Sequence, residues 1–163
     1  MQARVSDVLR IVSEEIEVYR DLVEHARRKT ALLVHGRLES IIESNKVEET
    51  FGIKLRILET EMERLCAELS EVFKISQEDF TLLKLADAVE PSVAEEIRRQ
   101  IRVFKNLIEQ LRSINRRNLK LAENSMHYSR GLLDFLANAT SSYQRTGLFR
   151  PIHPARSSIS HQA

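Results

Sequence analysis

The chain has 163 residues, of which only four are Gly, three are Pro and none is Trp. A chain of about one domain with so few turn-forming residues favours long helices over a sheet. Charged residues make up 30% and aromatic residues 6%, which is typical of helical bundles with solvated outer faces and argues against a compact enzyme with a large pocket. A net charge of +1 and scarce aromatic residues also argue against a nucleic-acid-binding protein.

The first half of the chain has the periodicity of two long helices. Apolar residues recur in steps of three and four, which predicts an amphipathic helix over about 3–35 and a second over 37–73. Gly36 is predicted to end or kink the first helix. The pattern is weakest from 45 to 52, where we expect the second helix to bend or loosen.

Two capping patterns mark the remaining helices. The stretch Ser76–Asp79 predicts the start of a short helix over 77–88, and Ser92–Glu95 reads as a capping box for a last helix over 92–139. At the usual rise of 1.5 Å per residue the last helix would be roughly 70 Å long. A core of this size cannot bury such a helix along its whole length.

These segments predict an all-α fold. Short connections favour antiparallel neighbours, so we expect an elongated antiparallel bundle or coiled coil of three long helices and one short helix. Residues 1–139 would form the helical domain. Residues 140–163 are rich in Ser, Pro and Arg, contain no acidic residue, and are predicted to be disordered.

Acidic and basic residues are distributed unevenly. Residues 37–90 contain thirteen acidic and seven basic residues, whereas residues 92–139 contain nine basic and five acidic residues. The second and last helices would therefore attract each other if they packed side by side.

The residue types that carry catalytic chemistry do not occur in recognisable patterns. His25, His35 and His127 each lack a Glu three residues before them, and we find no phosphate-binding glycine loop, paired cysteines or nucleophile with a base. We therefore predict no catalytic residue, no cofactor, no metal and no enzymatic activity. The single Cys66 and the lack of about 18 consecutive apolar residues predict a cytoplasmic protein without membrane insertion.

Several short motifs follow one another in a characteristic order. They are Tyr19-x-x-Leu22, basic residues before Ala31–Leu33, Gly36, Leu38 with Ile41, the run Asn115–Asn118, a Leu-rich helix, and Tyr143–Gly147. In this order and spacing, over about residues 5–147, the chain resembles the FlgN family of flagellar type III export chaperones.

The resemblance implies a cytosolic helical chaperone without enzymatic activity. Such a chaperone binds the C-terminal segments of the hook-associated proteins of the hook-filament junction, keeps them from associating early and delivers them to the export gate. The resemblance also implies that the C-terminal helix carries client binding. A Tyr near its end would dock on the cytoplasmic platform of the export gate, and by position this residue is Tyr143.

Small polar residues interrupt the apolar seam of the last helix. Steps of three and four from Leu111 reach Asn118 and Ser125, where a packed helix would place Leu or Ile. Such residues can dilute a groove for a removable client helix, whereas Asn115 and Asn118 could instead fix register inside the bundle or a homodimer. The predicted client contacts are the anchors Leu111, Ile114, Leu121, Leu132 and Phe135, and the register residues Asn115, Asn118 and Ser125.

Two other functions fit the same sequence. A structural coiled-coil protein would use the same heptads for self-association, with a homodimer as its product. A chaperone for another flagellar client, the filament cap or flagellin, would need the same kind of helix.

Overall fold

The computed structural model describes the backbone of residues 2–141 and the side chains of residues 3–76 and 78–135. This part of the chain forms four α-helices and no strand: α1 Gln2–His35, α2 Leu38–Phe73, α3 Leu82–Ala88 and α4 Pro91–Ser141, with a 3-10 turn at Gln77–Asp79. The all-α prediction of three long helices and one short helix is confirmed. The predicted disordered tail over 140–163 lies, apart from its first two residues, outside the described residues.

The chain divides into two compact units within α4. The first unit extends from the N-terminus to Ala122 and contains α1, α2, α3 and the first part of α4, and the second begins at Glu123. Our sequence interpretation had placed one helical domain over 1–139, without a division at this point.

Helices α1 and α2 run antiparallel. In successive ion pairs between them, the residue number increases along α1 and decreases along α2. These pairs are Arg4–Glu68 at 2.8 Å, Arg10–Glu61 at 2.7 Å and Lys29–Glu48 at 2.6 Å. Among the described side chains no ion pair joins α2 to α4. Three acidic residues of α2 therefore pair with α1, and the attraction that we expected between α2 and α4 is not found as an ion pair in this part of the chain.

Within the first unit, α4 runs parallel to α1. In successive contacts between them, the residue numbers increase along both helices. These contacts are Tyr19 with Phe104, Arg27 with Gln110 and Thr30 with Asn118. Since α2 runs in the opposite direction to α1, it is antiparallel to both long neighbours. This is the up-down-up arrangement that short connections impose on a helical bundle.

The apolar core lies towards the N-terminal end of α1. Its largest fully buried side chains are Val8 and Ile11 of α1, Leu65 and Leu69 of α2, Leu85 of α3 and Ile97 of α4. Burying a side chain of this size stabilises a fold by roughly 1.5–3 kcal/mol. Helix α3 thus closes the bundle at this end.

The turn between α1 and α2 is a Schellman motif at Gly36. The backbone φ of Gly36 is +63°, in the left-handed region, and the amides of Gly36 and Arg37 donate to the carbonyls of Leu33 and Leu32. The prediction that Gly36 ends or kinks the first helix is confirmed, because α1 ends at His35. Helix α2 then continues without a break through Asn45–Gly52, where the sequence pattern is weakest.

The segment that we predicted as one helix over 77–88 is divided. Ser76 accepts a hydrogen bond from the amide of Asp79, as its capping pattern indicates, but what it caps is the short 3-10 turn. Thr81, with an extended backbone, then caps α3 by accepting from the amide of Lys84. The segment thus contains two capped starts, of which the sequence analysis recognised only the first.

Helix α4 begins before the predicted capping box. Pro91 is its first residue, and the carbonyl of Glu90 already accepts from the amide of Ala94 at 2.9 Å. Proline suits the first helical position because the amide hydrogen that it lacks would have no partner there. Ser92 therefore lies inside the first turn, and its prediction as the N-cap is wrong.

Candidate functional site

Asn118, the first polar interruption in the seam of α4, lies inside the bundle and is 6% exposed. Its Nδ2 donates to the carbonyl oxygen of Ala26 at 2.9 Å, and the Thr30 hydroxyl donates to its Oδ1 at 2.6 Å. A buried amide needs both kinds of partner, and here α1 supplies them. This contact matches the internal-register interpretation, and it leaves little of Asn118 for a client to contact.

Polar contacts continue from Asn118 across to α2. The His25 Nε2 lies 2.9 Å from the Oγ of Ser44, a residue that is 6% exposed, and Lys29 pairs with Glu48 at 2.6 Å. We call the set His25, Lys29, Thr30, Ser44, Glu48 and Asn118 the polar layer. These contacts disfavour a slip of the helices, because a slip would leave buried polar groups without partners, but they add less burial energy than the core.

A groove of about 340 Å³ lies beside the polar layer. Its lining comes from α1, α2 and α4: Lys29, Leu33, Ile41, Asn45, Glu48, Asn115, Asn118, Leu119 and Ala122. Asn115 is exposed, and Leu119 is 60% exposed. Of the two Asn residues that begin and end the Asn115–Asn118 run, only Asn115 therefore remains accessible to a partner.

Three predicted apolar anchors are shared with the chain's own bundle. Leu111 and Ile114 are half-buried and pack against the core, and Leu121 is also half-buried. A partner could contact only part of each side chain. Substituting any of them would also disturb the folded protein.

In the second unit, every side chain from Glu123 to Phe135 is exposed. Because successive residues of a helix point about 100° apart, the charged residues of this segment share one face, and the opposite face is apolar. We call this opposite face the α4 apolar face. It consists of Tyr128, Leu132 and Phe135, together with Ser125 and Ser129.

The α4 apolar face brings together three of the predicted contacts, Ser125, Leu132 and Phe135. The predicted contacts follow one row of residues and omit the neighbouring row Leu119, Met126 and Leu133, which repeats every seven residues. Met126 is 56% exposed and Leu133 is 65% exposed, but they point about 160–180° away from Phe135 and so form a separate apolar row beside the α4 apolar face. The seven-residue repeat was the signal that could have identified them.

Three further features of the described residues concern a reactive thiol, a metal site and a membrane-spanning helix. Burial raises the pKa of the half-buried Cys66 thiol, and the charges of Glu15 and Glu63 raise it further, which disfavours the reactive thiolate. The described residues contain no cluster of three His, Cys, Asp or Glu side chains placed to hold a metal ion. Among the described helices, none has an apolar stretch long enough to cross a membrane.

Comparison with known proteins identifies the family. The family model described as FlgN protein matches residues 1–149. The chain belongs to the FlgN family. FlgN proteins are flagellar export chaperones and form a chaperone family, not an enzyme family. No curated protein and no solved structure matches the chain.

Several positions that carry the FlgN resemblance have structural roles. The ring of Tyr19 packs edge to face against Phe104, with centroids 4.9 Å apart, Gly36 forms the turn after α1, and Asn118 joins α4 to α1. These FlgN positions stabilise the bundle. Tyr143, the predicted docking residue, lies outside the described residues.

Proposed function

We propose that this FlgN protein binds the C-terminal segments of hook-associated proteins in the cytoplasm, prevents their premature association and delivers them to the export gate. Membership of the FlgN family supports a flagellar export chaperone. The α4 apolar face is the observation that supports this location for the client site, because an exposed apolar surface on a helix is typical of a protein-binding site.

A client helix would lie along the α4 apolar face with three principal anchors, Tyr128, Leu132 and Phe135. Because these side chains are already partly buried, covering the three contributes only on the order of 3–6 kcal/mol. Lost translational and rotational freedom costs roughly 4–15 kcal/mol on association. The apolar gain and this cost are of similar size, which favours a complex that can dissociate at the export gate.

The serines of this face have a different role from Asn118. Ser125 and Ser129 dilute the apolar surface of the empty chaperone, so that water solvates it. When a client covers them, their hydroxyls can hydrogen-bond to its polar groups. The half-buried Leu111, Ile114 and Leu121 and the exposed Asn115 remain predicted client contacts, whereas we assign Asn118 to the bundle.

The test is the double variant Leu132→Ser with Phe135→Ser, measured by calorimetric titration with a peptide of a client's C-terminal segment. Both side chains are exposed, at 47% and 67%, so the unfolding midpoint should stay unchanged. The affinity should fall by about 30-fold or more. Leu83→Ser on α3, where the side chain is 50% exposed, is a matched control that should bind normally. Unchanged affinity in the double variant would contradict the proposed site.

The same titration identifies the client class. Peptides from the C-termini of the hook-associated proteins, the filament cap and flagellin would be compared at equal length. We expect the hook-associated peptides to bind most tightly. Tighter binding of a cap or flagellin peptide would assign this chaperone to that client, and no binding of any peptide would favour a purely structural coiled-coil protein.

The export-gate role that we propose for Tyr143 is separable from client binding. Tyr143→Ala should leave peptide affinity unchanged and reduce export of the client in cells. Tyr128→Ala is the matched control, because Tyr128 lies on the α4 apolar face and is 74% exposed. That control should weaken peptide binding. Loss of peptide binding in Tyr143→Ala, or normal export, would contradict the docking role.

A further inference from the structure

A second exposed apolar stripe runs along α2. Leu38, Ile42, Ile53 and Ile57 are 69%, 48%, 60% and 62% exposed, although each is a large apolar side chain. Two exposed charged residues, Lys46 and Glu49, lie between the two apolar pairs on the same side of the helix. These six residues, which we call the α2 stripe, follow one another in steps of three and four and therefore share one helical face.

We propose that the α2 stripe joins two copies of this chain as an antiparallel pair, with a twofold axis between Val47 and Glu48. In a twofold contact, if a residue of one copy faces a second residue of the partner, then that second residue of the first copy faces the first residue of the partner. Positions whose numbers add to 95 then face each other. Leu38 faces the partner's Ile57, and Ile42 faces the partner's Ile53. All four apolar residues of each copy meet an apolar residue.

The same axis also matches charges. Lys46 faces the partner's Glu49, and Glu39, beside the stripe, faces the partner's Arg56. In the described part of the chain, none of these four residues forms an ion pair within its own copy. Other charges of α2 are already used, since Glu48 pairs with Lys29 and Glu61 pairs with Arg10. The charges left unpaired along the stripe are therefore complementary to one another.

Other arrangements of the stripe are unfavourable. An antiparallel pair with Ile53 facing the partner's Ile57 would place Glu49 against the partner's Glu61 and Lys46 against the partner's Arg64. A parallel pair in register would place each charged residue of the stripe against its own copy. Like charges at such close contact oppose association. Of the three arrangements, only the antiparallel pair with its axis between Val47 and Glu48 avoids contacts between like charges.

The size of the contact predicts a reversible dimer. From Leu38 to Ile57 the helix is about 29 Å long. One helix from each copy gives a smaller interface than that of an obligate dimer. Association should therefore depend on concentration. The α2 stripe and the α4 apolar face consist of different residues, so this inference does not depend on the client-binding proposal.

Sedimentation equilibrium of the full chain over micromolar to millimolar concentrations tests the dimer. Glu49→Lys places two lysines together at both symmetric contacts and should weaken association about tenfold. Adding Lys46→Glu in the same chain exchanges the two charges and should restore the original association. Glu71→Lys makes the same change of charge outside the contact, at an exposed residue, and should have no effect.

Four results would overturn the proposal. The chain could remain monomeric at every concentration, or Glu49→Lys could dimerise as tightly as the parent, which would place any dimer contact elsewhere. The charge exchange could fail to restore association, or Glu71→Lys could weaken it as much as Glu49→Lys does. Thermal melting by circular dichroism accompanies each variant, and the exposure of Lys46 and Glu49 predicts unchanged folding.

Discussion

The side-chain amide nitrogen of Asn118 lies 2.9 Å from the carbonyl oxygen of Ala26, which joins α4 to α1 out of contact with water. Moving either helix by one turn would separate the two groups and leave a buried polar atom without a partner. The bond therefore selects one register of α4 against α1. Ser125, seven residues further along the same seam, is exposed and has no such role in the described structure.

Replacing Asn118 by Leu should destabilise the protein by about 1–3 kcal/mol, because it removes the hydrogen bonds of a buried amide. The Thr30 hydroxyl, which lies 3.1 Å from the carbonyl oxygen of Ala26, can recover part of this loss. Urea unfolding measures the change. Ser125→Leu is the matched control and should alter stability by less than about 0.5 kcal/mol. Equal stability of Asn118→Leu and the parent would contradict the register role.

Gly36 and Lys74, the two residues with left-handed backbone conformation at helix ends, should respond oppositely to substitution. Gly36, with φ +63°, ends α1, and Lys74, with φ 53°, ends α2 in the same way. Gly36→Ala should destabilise by about 1 kcal/mol, and Lys74→Gly should stabilise by a similar amount, because a side chain is strained in this conformation. No atom lies within 4 Å of a Cβ at Gly36, so a clash does not contribute. Thermal melting of both variants measures the effect, and a change of the same sign in both would contradict this explanation.

Because of Glu15, the stability of the protein should fall as the pH rises from the normal pKa of a Glu carboxyl towards the raised pKa of Glu15. Burial raises the pKa of Glu15, and the charge of Glu59 raises it further. The folded state therefore binds this proton more tightly than the unfolded state, so ionisation of Glu15 opposes folding. Glu15→Gln should raise the melting temperature at about pH 7 and have little effect near pH 3, where the carboxyl is protonated in both states. An equal gain at both pH values would mean that ionisation is not the cause. Glu43→Gln, at an exposed position, is the control.

The sequence predicted the all-α class and the turn at Gly36 because both follow from local signals, the spacing of apolar residues and a glycine. The end of α2 was harder to explain from sequence, since Lys74 adopts a glycine-like conformation there. The break before α3 was missed because Ser76–Asp79 is a stronger capping pattern than Thr81 alone.

For the candidate site, periodicity grouped Asn118 and Ser125 in one seam but could not determine which of them is buried. That difference depends on whether another helix lies beside the turn that carries each residue. At Asn118, α1 supplies both hydrogen-bonding partners, and such a tertiary contact is not encoded in the local pattern of α4. The same reason explains why Leu111 and Ile114 pack against the core while Leu132 and Phe135 are exposed.

The most direct test of the client site is amide hydrogen exchange of the full chain, with and without a saturating C-terminal segment of a hook-associated protein. The proposal predicts that the client slows exchange in residues 123–135, where every described side chain is exposed in the free protein, and leaves the core region of α1 unchanged. Unchanged exchange in residues 123–135, with protection confined to other helices, would contradict the account.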